Sequence, residues 1–200
     1  MRDMWPMTGG CHYAMGCKKY ETTCGFCDQL DSKKHHDLSY YILKAKLANF
    51  PKHIKIVGIS HWLSECAKQS SLFKHFDIRT IFNSINTDEF VPVDKYIARN
   101  ILGLPDKKKI ILTGAQNLDD FHKGFPNYLK AIQLLNNKTD KYLLFFGKLD
   151  ENIVMKSGFE CKSFGFLEDS ISLRLVYSAS DVFVAPTLID AFGKTLAEAM

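Results

Sequence analysis

The chain has 200 residues, 46% of them apolar and 24% charged, with six cysteines. That composition excludes a disordered tail, and the cysteines are too few to build a disulfide-held miniature, so packing must supply the core of one or two domains. The net charge of +4 is spread evenly, with 12 basic and 9 acidic residues through position 90 and 14 against 13 after it, which leaves no concentrated basic stripe of the kind a nucleic-acid binder shows.

The first residues, Met1-Arg2-Asp3-Met4-Trp5-Pro6, lack the apolar segment of a secretory signal. The best apolar run, Tyr142 to Phe146, is far short of the ~18 residues that span a bilayer. A cytoplasmic protein is expected, at most peripheral at the inner membrane face. Residues 1–36 show no sustained periodicity and read as a long structured loop. Cys11, Cys17, Cys24 and Cys27 fall within it; four thiolates in that span are the right count for a structural zinc, and the alternative is reduced cysteines packed in a loop. His12 is a candidate spare ligand or sugar contact.

From Asp37, an N-cap, Leu38, Tyr41, Ile42, Ala45 and Ala48 recur at helical spacing until Asn49-Phe50-Pro51 stops them. Residues 54–59 form a β-branched strand, Ser60 caps a helix bearing Trp62, Leu63, Cys66 and Ala67, and residues 78–82 form another strand. The Tyr41 and Trp62 positions read as core. A helix then ends at Gly103 with Pro105 just beyond, which is a stop signal. The second half alternates: strand 109–114, helix 125–136, strands 141–147 and 161–166, helix 169–179, strand 181–185 and a helix from 194. This alternation calls for a parallel sheet covered on both faces, and the apolar run Asp181-Val182-Phe183-Val184-Ala185 reads as a strand buried on both. The expected division is a first domain over 1–90, a linker over 91–107 and a second domain over 108–200.

In open α/β sheets ligands bind beyond the carboxyl ends of the strands. Two loops there carry chemistry. Thr113-Gly114-Ala115 leads to Lys123-Gly124 at a helix start, where an ammonium and backbone N–H groups can hold a phosphate. The other loop runs from Pro186 through Asp190, Phe192, Gly193, Lys194 and Thr195 to Glu198, with Gly193 letting backbone amides approach an anion. Read singly, Lys123 is a surface lysine, Asp190 a turn residue and Glu198 an exposed helix residue; read together, they can face one cleft. No Asp-x-Asp and no G-x-G-x-x-G occurs, which counts against a chelated divalent ion and against a dinucleotide oxidoreductase.

Asp190-Ala191-Phe192-Gly193-Lys194-Thr195-Leu196-Ala197-Glu198 resembles the acidic motif of the retaining GT-B glycosyltransferases of the group 1, family 4 type. Tyr177 to Pro186 is similar to the family's lead-in, and Lys123-Gly124 to its phosphate-binding pair. Asp3-Met4-Trp5-Pro6-Met7-Thr8-Gly9-Gly10-Cys11-His12-Tyr13 looks like the loop of a bacterial polysaccharide-type subgroup. The resemblance is collinear from residue 3 to residue 200. It implies two Rossmann-like, doubly wound parallel-sheet domains, both incomplete in this chain. It also implies transfer of a sugar, with retention, from a nucleotide diphosphate sugar to a glycan or lipid-linked acceptor, with no cofactor required for the chemistry. In that scheme Lys123 neutralises the diphosphate, the turn at Phe192, Gly193, Lys194 and Thr195 offers backbone donors, Asp190 holds sugar hydroxyls and Glu198 the ribose.

Three departures stand out: Asp190 where the family usually has Glu, no arginine between Gly114 and Lys123, and Arg2-Asp3 in place of a His-Asp pair whose histidine faces the donor sugar. The chain alone is therefore expected to bind nucleotide without transferring sugar. Two other readings are a non-catalytic nucleotide-binding remnant and a zinc-stabilised interaction module.

Overall fold

The computed structural model describes residues 1–150 and 157–200, which divide into two compact units, Met1–Asn83 and Ser84–Met200. In the first, the long N-terminal loop is built from three single 3₁₀ turns, Trp5–Met7, Lys19–Glu21 and Asp28–Leu30. Helix α1 (Leu38–Asn49) begins where Asp37 accepts the Tyr40 N–H. Strand β1 (Ile56–Gly58), helix α2 (His61–Gln69) and strand β2 (Ile78–Thr80) make one parallel βαβ crossover. Ser60 caps α2 by accepting from Leu63 N at 3.1 Å, and a Cβ on Gly58 would fall 2.4 Å from Ser64 Oγ, so glycine lets helix and strand close up.

The buried stripe of α1 differs from the expected one. Ser39 and Leu43 are buried, while Tyr41 is 56% exposed and Leu38 and Ala48 are exposed too. The cause is the partner surface. A Cβ on Gly9 would lie 2.3 Å from Ser39 O, and Lys46 Nζ donates to the carbonyls of Trp5 and Thr8. The helix therefore turns a small, polar face to the polar backbone of the loop. Trp62 is likewise exposed rather than core, because α2 is anchored through Leu63, Ser64 and Ala67.

The second unit holds a four-stranded parallel sheet in the order β5-β4-β3-β6. Its strands are β3 (Lys109–Asn117), β4 (Lys141–Lys148), β5 (Glu160–Ser163) and β6 (Val182–Phe183). Helices α3 (Lys95–Leu102), α4 (Phe125–Gln133), α5 (Ser170–Ala179) and α6 (Lys194–Ala199) complete it. Strand periodicity sorts the core into two layers. Ile110, Leu112, Leu144 and Phe146 pack with Ala98 of α3 and Val176 and Ala179 of α5. Leu143 and Phe145 pack with Phe125, Tyr128 and Ile132 of α4 on the opposite face. Residues 91–107, read from sequence as a linker, contain α3, which packs against α5 inside this unit.

Buried Arg99 ties that layer to the sheet: its Nε donates to Ala179 O at 2.9 Å, and an Nη to Asp181 Oδ2 at 2.7 Å. The strand expected to be buried on both faces is instead a two-residue edge. Val182 is 48% exposed, because among the described residues β6 pairs only with β3.

Candidate functional site

The chain passes from β3 to β4 to β5 in one direction and then returns to β6 on the other side of β3. The strand order thus reverses between β3 and β6, and the crevice outside their carboxyl ends is where such sheets bind ligands. Both chemistry-bearing loops leave the sheet there. After β3 the chain makes a 3₁₀ turn over Phe121–Lys123, with Asp120 accepting from the His122 N–H at 2.9 Å. Gly124 follows at φ +64°, and a Cβ there would fall 2.1 Å from Pro186 O. Only glycine lets the two loops meet.

They are joined by a backbone bond from Leu188 N to His122 O at 2.9 Å and by Lys123 Nζ donating to Asp190 Oδ2 at 2.8 Å. Burial raises the Asp190 pKa, but the Lys123 hydrogen bond and charge, with the Gly193 and Phe192 N–H groups, outweigh it and hold the carboxyl below its ordinary value. Asp190 is therefore ionised at neutral pH and orders the turn before α6.

At that turn Gly193 adopts φ +75° and is buried, Phe192 and Thr195 are half-buried, and Lys194 is exposed. Lys194 Nζ reaches one turn along α6 to Glu198 Oε1 at 3.0 Å. Glu198 is not the exposed helix residue that its sequence alone suggests: its side chain is only 4% exposed. Its Oε2 accepts from Tyr177 Oη at 3.2 Å. Burial first, and then the Glu198 charge, push the Tyr177 hydroxyl well up, so it stays a donor.

The Tyr177 ring packs edge-on against Phe146 and Phe183. Phe146 in turn lies over Gly114, where a Cβ would fall 2.2 Å from its ring. Gly114 thus serves packing beneath the site, in a chain of contacts that runs through Phe146 and Tyr177 to Glu198. Tyr177 was visible in the sequence only as part of a lead-in to β6; its signal was helical spacing on α5, which places it beside the end of that strand.

A cavity of about 580 Å³ opens beyond the carboxyl ends of β3, β4 and β5, lined by Gln116, Asn117, Lys148, Ser163, Gly165 and Phe166 among others. Sequence reading ended β3 at Gly114 and so missed Gln116 and Asn117. The strand continues through a register shift between Gly114 and Asn117, facing Gly147, which adopts φ +101° and where a Cβ would run into Ala115 O.

A structural zinc at the four loop cysteines finds no support in the structure. Cys11, Cys17, Cys24 and Cys27 are free thiols lining a second cavity, also about 580 Å³, in the first unit. Among the described residues no group of three or more His, Cys, Asp or Glu is placed to hold a metal ion. Burial pushes the Cys11 thiol up and Cys24 to about 11. No described helix is long and apolar enough to cross a membrane.

No family model matches the chain, and no curated protein matches it. Solved structures do. A sucrose-phosphate synthase from Thermosynechococcus elongatus aligns with 94% of this chain at 25% identity and a TM-score of 0.67, using 46% of its own length. WaaG, a glycosyltransferase involved in lipopolysaccharide biosynthesis, aligns with 90% at 17% identity and a TM-score of 0.63, using 52% of its length. HepE from Anabaena, solved in complex with UDP and glucose, aligns with 80% at 14% identity and a TM-score of 0.61, using 45% of its length. The chain spans about half the length of these structures, and its parallel-sheet architecture is that of the GT-B glycosyltransferases.

Proposed function

We propose that this chain is the part of a glycosyltransferase that holds a nucleotide diphosphate sugar, in an enzyme that transfers the sugar with retention to a glycan or lipid-linked acceptor. The observation that carries the reading is the meeting of Lys123 and Asp190 where the strand order reverses. An ammonium has three N–H donors and Asp190 takes one, so Lys123 can bridge this carboxylate to a diphosphate. As the bond between sugar and phosphate breaks, charge grows on the departing diphosphate. Lys123 and the Lys194 and Thr195 N–H groups stabilise it, the Phe192 and Gly193 N–H groups remaining on Asp190, which favours the transition state over the bound substrate. Asp190 accepts from sugar hydroxyls beside them. Glu198 uses one contact on each oxygen for Lys194 and Tyr177 and keeps lone pairs for ribose hydroxyls. The cavity beyond β3, β4 and β5 is the place in this unit for the base.

HepE, of the same fold, is recorded with UDP-glucose, which supports the donor class. Retention and the acceptor class come from the resemblance of residues 190–198 and 3–13.

The test is titration calorimetry of the chain with uridine, guanosine and adenosine diphosphates. At least one should bind, and Lys123→Ala should weaken it by about 2 kcal/mol, the loss of one charge-assisted contact, or ~30-fold. Equal affinity of wild type and variant would remove Lys123 from the site. Where transfer is observed with the full-length enzyme, proton NMR of the product's anomeric centre reads the stereochemistry, and inversion would refute the retaining mechanism.

A further inference from the structure

We propose that Tyr177 is a positioning residue for the donor's ribose: its hydroxyl fixes the Glu198 carboxylate so that the site takes a nucleotide with ribose hydroxyls over one that lacks them. This rests on the donor-site reading of Glu198; the contact and its support are geometry. Tyr177 Oη lies 3.2 Å from Glu198 Oε2, across 21 residues of chain. The hydroxyl donates, because burial first and then the Glu198 charge keep the proton on the phenol.

Three elements hold the Tyr177 ring. Tyr177 belongs to the last turn of α5, which closes where Ser180 N and Ser180 Oγ donate to Tyr177 O at 3.2 and 2.7 Å. Its ring meets Phe146 of β4 and Phe183 of β6 edge-on, with centroids 5.7 and 5.3 Å away. Those two rings stack on each other at 6.3 Å, and Phe146 is buried against Gly114 of β3. A tyrosine has only two side-chain torsions, so a ring packed on two such neighbours carries its oxygen at a place set by the sheet.

The other partner of Glu198 does not supply this. Lys194 Nζ is 3.0 Å from Oε1, but 67% of the lysine side chain is exposed, and an exposed pair one helical turn apart is weak and screened by salt. An ammonium also offsets the negative charge that strengthens bonds from hydroxyl donors, whereas a neutral phenol orients the carboxylate and leaves its charge in place. The Glu198 side chain is only 4% exposed, so little of the carboxylate is open to a ligand and its direction decides whether hydroxyls can reach it. A misdirected Glu198 would keep its charge and lose those bonds. Tyr177 therefore governs the preference for ribose and leaves the diphosphate to Lys123 and the Lys194 and Thr195 N–H groups.

The test is calorimetry of the whole chain with whichever of the uridine, guanosine and adenosine diphosphates binds, with its 2′,3′-dideoxy counterpart and with inorganic diphosphate. Wild type should favour the ribonucleotide by about tenfold, the size of a hydrogen bond to a charged group. Tyr177→Phe, which keeps the ring and its packing, should cut that preference to about threefold or less, with the affinity for inorganic diphosphate unchanged. In a Glu198→Gln background the same change should alter the preference no further, since Tyr177 acts through the Glu198 charge. A damaged fold weakens all three ligands together, so the ratio reads positioning apart from stability. An unchanged preference in Tyr177→Phe, or an equal loss for inorganic diphosphate, overturns the proposal. Wild-type binding with no ribose preference overturns it too and leaves the diphosphate site standing, whereas no binding of any nucleoside diphosphate brings down the donor-site reading and this role of Tyr177 with it.

Discussion

Lys123, Asp190 and Glu198 were readable from sequence as a possible constellation because each sits at a fixed offset from a glycine at a strand or helix end. What the sequence could not show was their state: Asp190 is held ionised by Lys123 and two turn amides, and Glu198 is nearly buried. That second fact depends on Tyr177, which contacts Glu198 across 21 residues of chain. It sharpens a prediction. Glu198→Gln keeps the shape and the Tyr177 bond while removing the charge, so nucleoside diphosphate affinity should fall about tenfold, or ~1.4 kcal/mol, with inorganic diphosphate binding unchanged. Calorimetry showing equal losses for the two ligands would assign Glu198 a role in folding instead. The four cysteines teach the opposite lesson. Their number allowed a zinc, but ligand count in a sequence says nothing about whether thiols converge at bonding distance.

Among elements, the glycines explain most of what hydrophobic pattern left open. Gly114 looked like a phosphate-loop residue; the structure assigns its missing side chain to the Phe146 ring. Gly114→Ala should cost about 1–3 kcal/mol in chemical denaturation through overpacking, and Phe146→Leu should recover part of it. Were the glycine needed only for a ligand, the alanine variant would keep full stability.

The register of α1 and the exposure of β6 were also illegible. The first was decided by the loop the helix faces, the second by strand order, and neither is local information. Asp181, just before β6, accepts from Ile110 N, Lys95 and Arg99. Burial acts to raise its pKa, yet these bonds and the guanidinium prevail and lower it. A depressed carboxylate stabilises the fold above its unfolded pKa of about 4 and loses that contribution as pH falls through the folded value. The stability gap between wild type and Asp181→Asn should therefore be widest above about pH 5 and close toward pH 2. A gap independent of pH would show that Asp181 acts through shape rather than charge.

At the scale of the molecule, alternation of strands and helices in the second half was enough to announce an α/β unit with a parallel sheet, and the structure has it. The order β5-β4-β3-β6, which sets the place of the site, was not in the pattern; it follows from which strands pair. The central claim is that a nucleotide diphosphate sits where that order reverses, in the second unit. Hydrogen exchange on the whole chain, with and without a saturating nucleoside diphosphate, tests it most directly. The account predicts slowed exchange together in residues 121–125 and 190–198, the two loops joined by Lys123 and Asp190, with the first unit unchanged. Protection confined to residues 9–30, or none in either loop while calorimetry records binding, would contradict it.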